Sequence, residues 1–151
     1  MKVLLQRVSA AAVSVAGRQV GAIQAGLCAL VGVAEGDSGP DAEALARRAV
    51  GLRVFEDEAG RMNLSVAETG GQMLVVSQFT LIADTRKGRR PSFQAAAQPA
   101  EAAELVGTFA HAVGRLGVEV AHGSFGEHMQ VDIKADGPVT IMLDSRERRD
   151  A

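Results

Sequence analysis

The sequence is poor in aromatic residues and contains one cysteine. Its 151 residues include five Phe, no Tyr and no Trp. Modules that bind RNA without catalysis commonly stack bases on exposed aromatic side chains, so this composition argues against that class. The lone Cys28 lies in the apolar run LCALV at 27–31, which excludes a disulfide within the chain and argues against a cysteine-ligated metal. We expect Cys28 to be a core thiol, since no activating neighbour is visible.

Long hydrophobic runs are also missing. Apolar stretches reach about ten residues, whereas a helix that crosses a bilayer needs roughly twenty. The start of the sequence lacks the charged, apolar and small-residue segments of a secretion signal. These observations predict a cytoplasmic protein with no membrane partner.

Signals for metals and nucleotide cofactors are absent as well. His111 falls in a predicted helix, and His122 and His128 match no common metal-ligand spacing. No glycine-rich phosphate loop is present. We therefore expect no metal site, and the missing phosphate loop argues against a doubly wound nucleotide-binding fold.

The composition is that of one globular domain, with 47% hydrophobic and 23% charged residues. We predict a single domain over 1–145 and a basic tail over 146–151, which contains Arg146, Arg148 and Arg149. Strands are predicted at 2–9, 12–16, 19–23, 26–33, 72–83, 118–121, 129–134 and 139–143.

Two helices are predicted between these strands. The first follows a capping pair, Ser38 and Asp41, and the second covers about 102–116 and stops at Gly117. Strands outnumber helices and several turns are short. The fold class is therefore α+β, with a curled, barrel-like sheet that is mostly antiparallel or mixed.

A basic cluster interrupts a sequence whose net charge is −2. Arg86, Lys87, Arg89 and Arg90 place four cations within five residues. The cluster is either an ordinary exposed loop or a surface that receives a phosphate-bearing substrate. Its position directly after a polar strand favours the second interpretation as much as the first.

Polar side chains occupy the end of the predicted strand 72–83. Ser77, Gln78 and Thr80 accompany Phe79 there, and Gln78 and Thr80 would share one face of a strand. Buried polar groups without partners cost stability. Either they bond to neighbouring backbone, or this strand end lines a pocket whose side chains and N–H groups stabilise an oxyanion.

Two further features are unusual for a packed core. Gly137-Pro138 is either a simple turn or a backbone wall, because an X-Pro bond can be cis and glycine lets a ligand approach the main chain closely. Arg7 is a single guanidinium within an apolar strand, where it needs carbonyls or carboxylates to bond. Arg7 is therefore a candidate clamp.

Several segments together resemble the signature motifs of the D-aminoacyl-tRNA deacylases, also called D-tyrosyl-tRNA deacylases. The resemblance covers almost the whole chain apart from the basic tail. Its segments are SQFTL at 77–81, DTRKGRRPSF at 84–93, DGPVT at 136–140, QRV at 6–8, FED at 55–57 and MNLS at 62–65.

The resemblance implies a homodimer that hydrolyses the ester between a D-amino acid and the terminal adenosine of tRNA, with no metal or organic cofactor. Glycyl-tRNA should also be accepted, because glycine has no side chain to clash. The resemblance also implies a cis Gly137-Pro138 that enters the pocket of the other subunit and excludes L side chains, with Arg7 locking it in place. Ser77 to Thr80 would receive the ester. Thr80 is at the position of a proposed nucleophile, and the alternative is assistance by the ribose 2′-hydroxyl. A Ser/Thr hydrolase of another ester remains a rival interpretation, which requires a base near Thr80 or Ser77.

Overall fold

The computed structural model describes residues 1–147. Strands β1 to β3 come first, followed by helix α1, the short strands β4 and β5, strand β6, a 3-10 turn, helix α2, and strands β7 and β8. Their bounds are β1 Lys2–Val15, β2 Arg18–Ile23, β3 Gly26–Gly32, α1 Gly39–Gly51, β4 Phe55–Glu56, β5 Met62–Leu64, β6 Gln72–Ser77, the turn Phe79–Leu81, α2 Pro99–Arg115, β7 Glu119–His122 and β8 Gln130–Asp144.

The main sheet is mixed and strongly curled. Its strands follow the order β2-β1-β3-β6-β7, and β8 pairs with the other side of β1. The β3–β6 and β6–β7 pairs are parallel, whereas β1 is antiparallel to β2, β3 and β8. The curl brings β2 against β7, since a Cβ added to Gly21 would lie 2.2 Å from the carbonyl oxygen of His122. The predicted fold class, with two helices on a barrel-like sheet, is confirmed.

Apolar side chains fill both faces of the sheet. One cluster packs α1 and α2 on the outer face and includes Leu45, Met73 and Phe109. The other lies within the curl and includes Val13 and Cys28. Because β3 is buried on both faces, nearly all of its residues are apolar.

Cys28 is a core thiol, as the sequence predicts. Its side chain is fully buried, and burial raises the pKa of the thiol to about 11. A thiolate nucleophile is therefore not available at neutral pH.

The helix boundaries follow the predicted signals. The backbone N–H of Ser38 donates to Asp41 Oδ2 at 2.9 Å, and Pro40 lies in the first turn of α1. Gly117 adopts φ +90° directly after α2, where a residue with a Cβ would be strained.

Five of the predicted strands have wrong bounds. The predicted strands 2–9 and 12–16 are one continuous strand, β1, and 129–134 and 139–143 are both parts of β8. These two long strands pair with each other over most of their length, so tertiary pairing overrides the local break signals. The predicted strand 72–83 ends at Ser77, because the chain turns into a 3-10 conformation.

None of the helices in residues 1–147 is long and apolar enough to cross a membrane. The same residues contain no group of three or more His, Cys, Asp or Glu side chains arranged to hold a metal ion. In the predicted tail, Arg146 is exposed, while Arg148 and Arg149 lie outside the described residues.

Candidate active site

The polar motif 77–80 forms a tight turn at the end of β6. The backbone N–H of Gln78 donates to the carbonyl of Val31 at 2.7 Å, which holds the turn against the end of β3. The N–H of Leu81 then bonds back to the Gln78 carbonyl at 3.2 Å. Gln78 and Thr80 therefore do not share a strand face as predicted. Their side chains still meet, because the Gln78 amide nitrogen donates to the Thr80 hydroxyl.

This turn leaves two backbone donors available. Within residues 1–147, the N–H groups of Phe79 and Thr80 have no hydrogen-bond acceptor. The N–H of Gln78 is already used by the Val31 carbonyl, so it is not available to an oxyanion. Two adjacent unpaired N–H groups can bind one oxygen that gains negative charge.

An apolar cavity of about 400 Å³ opens beside the turn. Ser77, Gln78 and Phe79 form one wall, and residues from the start of α2 form another. Thr80 is not part of its lining. The other lining residues are Val31, Val33, Phe93, Ala96, Ala97, Gln98, Pro99, Ala102, Val106, Phe125 and Gly126.

Three phenylalanines line this cavity, which composition alone did not indicate. Phe79 is 58% exposed and meets Phe93 edge to face, with ring centroids 5.1 Å apart. Phe125 is 43% exposed on the GSFG segment at 123–126. Two of the five phenylalanines are therefore exposed, and both line this cavity. Phe125 stands beside Gly126 and Phe93 follows the basic cluster, but no comparable local signal marks Phe79.

The basic cluster lies on a loop over 84–92 whose end leads into the cavity wall, and we call it the rim loop. Asp84 and Ser92 pair at its base, with N to O distances of 2.8 and 2.9 Å, and Phe93 then re-enters the cavity wall. Arg86 is bound to Asp84, with Nη2 to Oδ2 at 2.7 Å, and these hydrogen bonds lower the pKa of Asp84 to about 2. The other three cations are exposed and, among the described residues, form no ion pair. They are Lys87, Arg89 and Arg90.

The Gly137-Pro138 segment bulges out of β8. Gln6 pairs with Thr140 and Val8 pairs with Ala135, so 136–139 leave the ladder opposite Arg7. The Gly137-Pro138 peptide bond is cis, as the resemblance implies. Both residues are exposed.

Arg7 holds the base of this bulge. Its guanidinium is buried, with 7% of the residue exposed, and donates from Nε to the Asp136 carbonyl at 3.0 Å. Nη1 donates to the Val54 carbonyl at 2.7 Å. Gly137 has φ +125°, and an added Cβ would approach Arg7 Nη2 to 3.1 Å. The guanidinium thus bonds carbonyls, as an arginine in an apolar strand requires.

One chain does not bring the bulge and the cavity together. Ser77 ends β6, which is separated from β8 by β3 and β1. Three strand spacings amount to about 14 Å along the sheet. Gly137 and Pro138 do not line the cavity. Within one chain the two motifs therefore lie at separate places on the sheet.

Comparison with known proteins decides the family. The family model described as D-Tyr-tRNA(Tyr) deacylase matches residues 4–144. The chain belongs to this deacylase family. A D-aminoacyl-tRNA deacylase of Thermomicrobium roseum is 58% identical, with 99% of this chain and 97% of the relative covered. One from Dehalococcoides mccartyi is 56% identical, covering 98% of this chain and 97% of the relative.

Solved structures agree with the fold. A structure described as a c-Myc DNA unwinding element binding protein superposes with a TM-score of 0.92 at 39% identity, covering 97% of this chain and 100% of that one. A probable eukaryotic D-amino acid tRNA deacylase has a TM-score of 0.81 at 19% identity, covering 94% of this chain and 97% of that one. At 19% identity, the second likeness shows the fold alone.

Proposed function

We propose that this deacylase hydrolyses the ester of D-aminoacyl-tRNA at the turn 77–80, in a site completed by a second subunit. The observation that carries the proposal is the pair of unpaired N–H groups of Phe79 and Thr80 beside an apolar cavity. An aminoacyl ester is already activated, so positioning and oxyanion stabilisation are sufficient for its hydrolysis. The reaction takes place in the cytoplasm, where charged tRNA is used.

The cavity suits the terminal adenosine. Its volume of about 400 Å³ lies in the range of small-molecule sites, and its walls are mostly apolar and aromatic. With the base among Phe79, Phe93 and Phe125, the ribose and its ester lie next to the turn. No triad is needed at that position, which agrees with the side chains present.

Chiral selection is assigned to the bulge of the partner subunit. The exposed Gly137-Pro138 segment offers main chain and no long side chain, so it excludes a substituent by overlap rather than by specific contacts. Glycine has no side chain to collide with it. D-aminoacyl and glycyl esters are therefore accepted and L-aminoacyl esters are rejected.

An ester-release assay tests this function. D-, L- and glycyl-tRNA carrying the same tRNA are compared in single-turnover measurements. D-aminoacyl-tRNA and glycyl-tRNA should both be deacylated, while the L-ester decays at its uncatalysed rate. Equal hydrolysis of the D- and L-esters, or hydrolysis of neither D- nor glycyl-tRNA, would contradict the proposal.

The rim loop is assigned to tRNA phosphates. Because Arg86 is bound to Asp84, three free cations remain, and binding of tRNA should show a log–log salt slope of roughly −2 to −3. The double variant with Lys87→Ala and Arg89→Ala should lower the magnitude of this salt slope by roughly 1 to 2. Arg18→Ala, an exposed cation at the start of β2, is the control. An unchanged slope in the double variant would remove the loop from the tRNA interface.

Gly32 sets the position of the turn. A Cβ at Gly32 would lie 2.9 Å from both the Gln78 carbonyl oxygen and Leu81 Cβ. Gly32→Ala should therefore displace the turn and lower kcat by about tenfold to a hundredfold, with a smaller change in KM. Gly51→Ala is the matched control, because nothing lies within 4 Å of an added Cβ there.

The kcat and KM values are measured on variants whose thermal unfolding is still cooperative. A change confined to the melting temperature would mean that Gly32 serves packing alone.

A further inference from the structure

A groove runs along α2 near the cavity. We call it the α2 groove and define it by Gly107, His111, Gly114, Arg115, Val120 and His122, which enclose about 430 Å³ between α2 and β7. A smaller pocket of about 150 Å³ lies between it and the cavity. This pocket shares Phe125 with the cavity and His122 with the α2 groove. The three spaces are therefore neighbours along one side of α2.

The floor of the α2 groove is helix backbone that no side chain covers at two glycine positions. Gly107 and Gly114 are exposed helical residues, and nothing lies within 4 Å of an added Cβ at either position. Glycine inside a helix costs about 1 kcal/mol relative to alanine. Packing does not require either glycine, so the missing side chains leave room for a ligand against the helix.

Among the residues that line the α2 groove, Arg115 carries a charge, and the two histidines offer ring nitrogens that can form hydrogen bonds. Its lining residues include His111, Arg115 and His122, and none of them is acidic. This contrasts with the whole chain, whose net charge is −2. Arg115 Nη2 is 3.7 Å from Glu43 Oε1, but a guanidinium has further N–H donors. Such a surface complements a phosphodiester.

We propose that the α2 groove binds the nucleotide that precedes the terminal adenosine of tRNA. The inference rests on the proposed function, because a strand whose last base fills the cavity has to leave through an open end. From Val106 to Arg115 the helix extends about 14 Å, which is longer than one nucleotide of extended strand. Phe125 lies at the junction and offers an exposed ring face on which a base can stack.

The test uses short substrates instead of whole tRNA. The kcat/KM values of D-aminoacyl-adenosine, D-aminoacyl-CpA and D-aminoacyl-CpCpA are compared. The readout is the kcat/KM of the CpA ester divided by that of the adenosine ester. For the unchanged enzyme the ratio should be about tenfold or more, as expected for one stacked base. Gly107→Leu fills the α2 groove and should bring the ratio to within about twofold of unity.

Gly51→Leu is the matched control, since it adds the same side chain to an open glycine at the end of α1, away from the path. It should keep the ratio of the unchanged enzyme. Arg115→Ala is the second variant, because an exposed side chain can be shortened without disturbing the fold. It should lower the ratio by about threefold to tenfold.

The outcomes separate the two proposals. If the unchanged enzyme hydrolyses D-aminoacyl-adenosine and the ratio is the same in Gly107→Leu, the α2 groove is not the path and the proposed function stands. If the ratio instead falls in Lys87→Ala with Arg89→Ala, the strand leaves past the rim loop and the inference is overturned. If the enzyme hydrolyses neither these esters nor D-aminoacyl-tRNA, the proposed function fails and the inference with it.

Discussion

Replacing the 2′-hydroxyl of the terminal ribose with hydrogen is expected to slow deacylation at least about a hundredfold, comparable with loss of a principal catalytic group. Thr80→Ala is expected to slow it at most about tenfold, on the order of 1.4 kcal/mol. The reason lies in what surrounds the Thr80 hydroxyl. Its partner is the amide of Gln78, which cannot accept the proton that a nucleophile must lose.

A base for a side-chain nucleophile is also missing around the turn. In the part of the chain that the structure describes, no imidazole or carboxylate hydrogen-bonds to Ser77 or Thr80. The hydrolase interpretation with a Ser or Thr nucleophile therefore lacks its required partner. The substrate hydroxyl lies next to the ester carbonyl in every aminoacyl-tRNA, so it is the better-placed activating group.

Single-turnover deacylation separates the two models. Each change is made alone, and each Thr80 variant is first shown to be folded. Thr80→Ser is the matched variant, because it keeps the hydroxyl and should behave like the unchanged enzyme. Near-complete loss in Thr80→Ala together with normal turnover of the 2′-deoxy substrate would restore Thr80 as the nucleophile.

Removal of the Arg7 guanidinium should have the second large effect. Arg7→Ala takes away the donors to the carbonyls of Asp136 and Val54 and frees the bulge at 136–139. A displacement of about 1 Å is enough to lower deacylation of the D-ester by about a hundredfold. The D to L rate ratio should fall as well, since a mobile wall excludes the L side chain less completely.

Arg48→Ala is the matched control. Arg48 is half-buried and, like Arg7, donates to a β8 carbonyl, from Nη1 to Asp144 at 3.0 Å, but at the far end of the strand. Arg7→Ala leaves two carbonyls without their donor and Arg48→Ala leaves one, each at a cost of about 1 to 3 kcal/mol in unfolding free energy. Selectivity that falls equally in both variants would mean that general destabilisation is the cause.

Heterodimers show whether the bulge acts across subunits. A subunit with Arg7→Ala is paired with one that carries Gly32→Ala, and the mixed dimer is purified through two different tags. If each site uses the turn of one subunit and the bulge of the other, one of the two sites is intact and about half of the unchanged activity returns. If both motifs serve the same chain, neither site is intact and activity stays low.

Much of this protein could be predicted from local sequence. The start of α1 after Ser38 follows from helix capping, and the end of α2 before Gly117 follows from a glycine in the left-handed conformation. Both signals act within a few residues. The burial of Cys28 follows from a continuous apolar run. The position of Arg7 follows from one charge in an apolar strand, because a buried guanidinium has to find carbonyls.

The conformation of the turn 77–80 was decided by a contact that is distant in sequence. Polar residues after an apolar run are compatible with a strand, but the Val31 carbonyl takes the Gln78 N–H and Gly32 leaves space for the chain to turn. That contact decides which N–H groups remain free. Neighbouring residues along the chain carry no information about it.

The sequence by itself determined the fold class, the two helices and the motifs of the deacylase family, because these depend on periodicity, capping and short segments. Only the tertiary structure decided that β1 and β8 are each one continuous strand. It also decided that Asp84 binds Arg86, one of the four basic residues. It brought Phe79, Phe93 and Phe125 to one cavity. It also separated Gly137-Pro138 from the cavity within one chain. The physical reason is that pairing across a sheet joins residues far apart in sequence, and the energy of such contacts exceeds local preference.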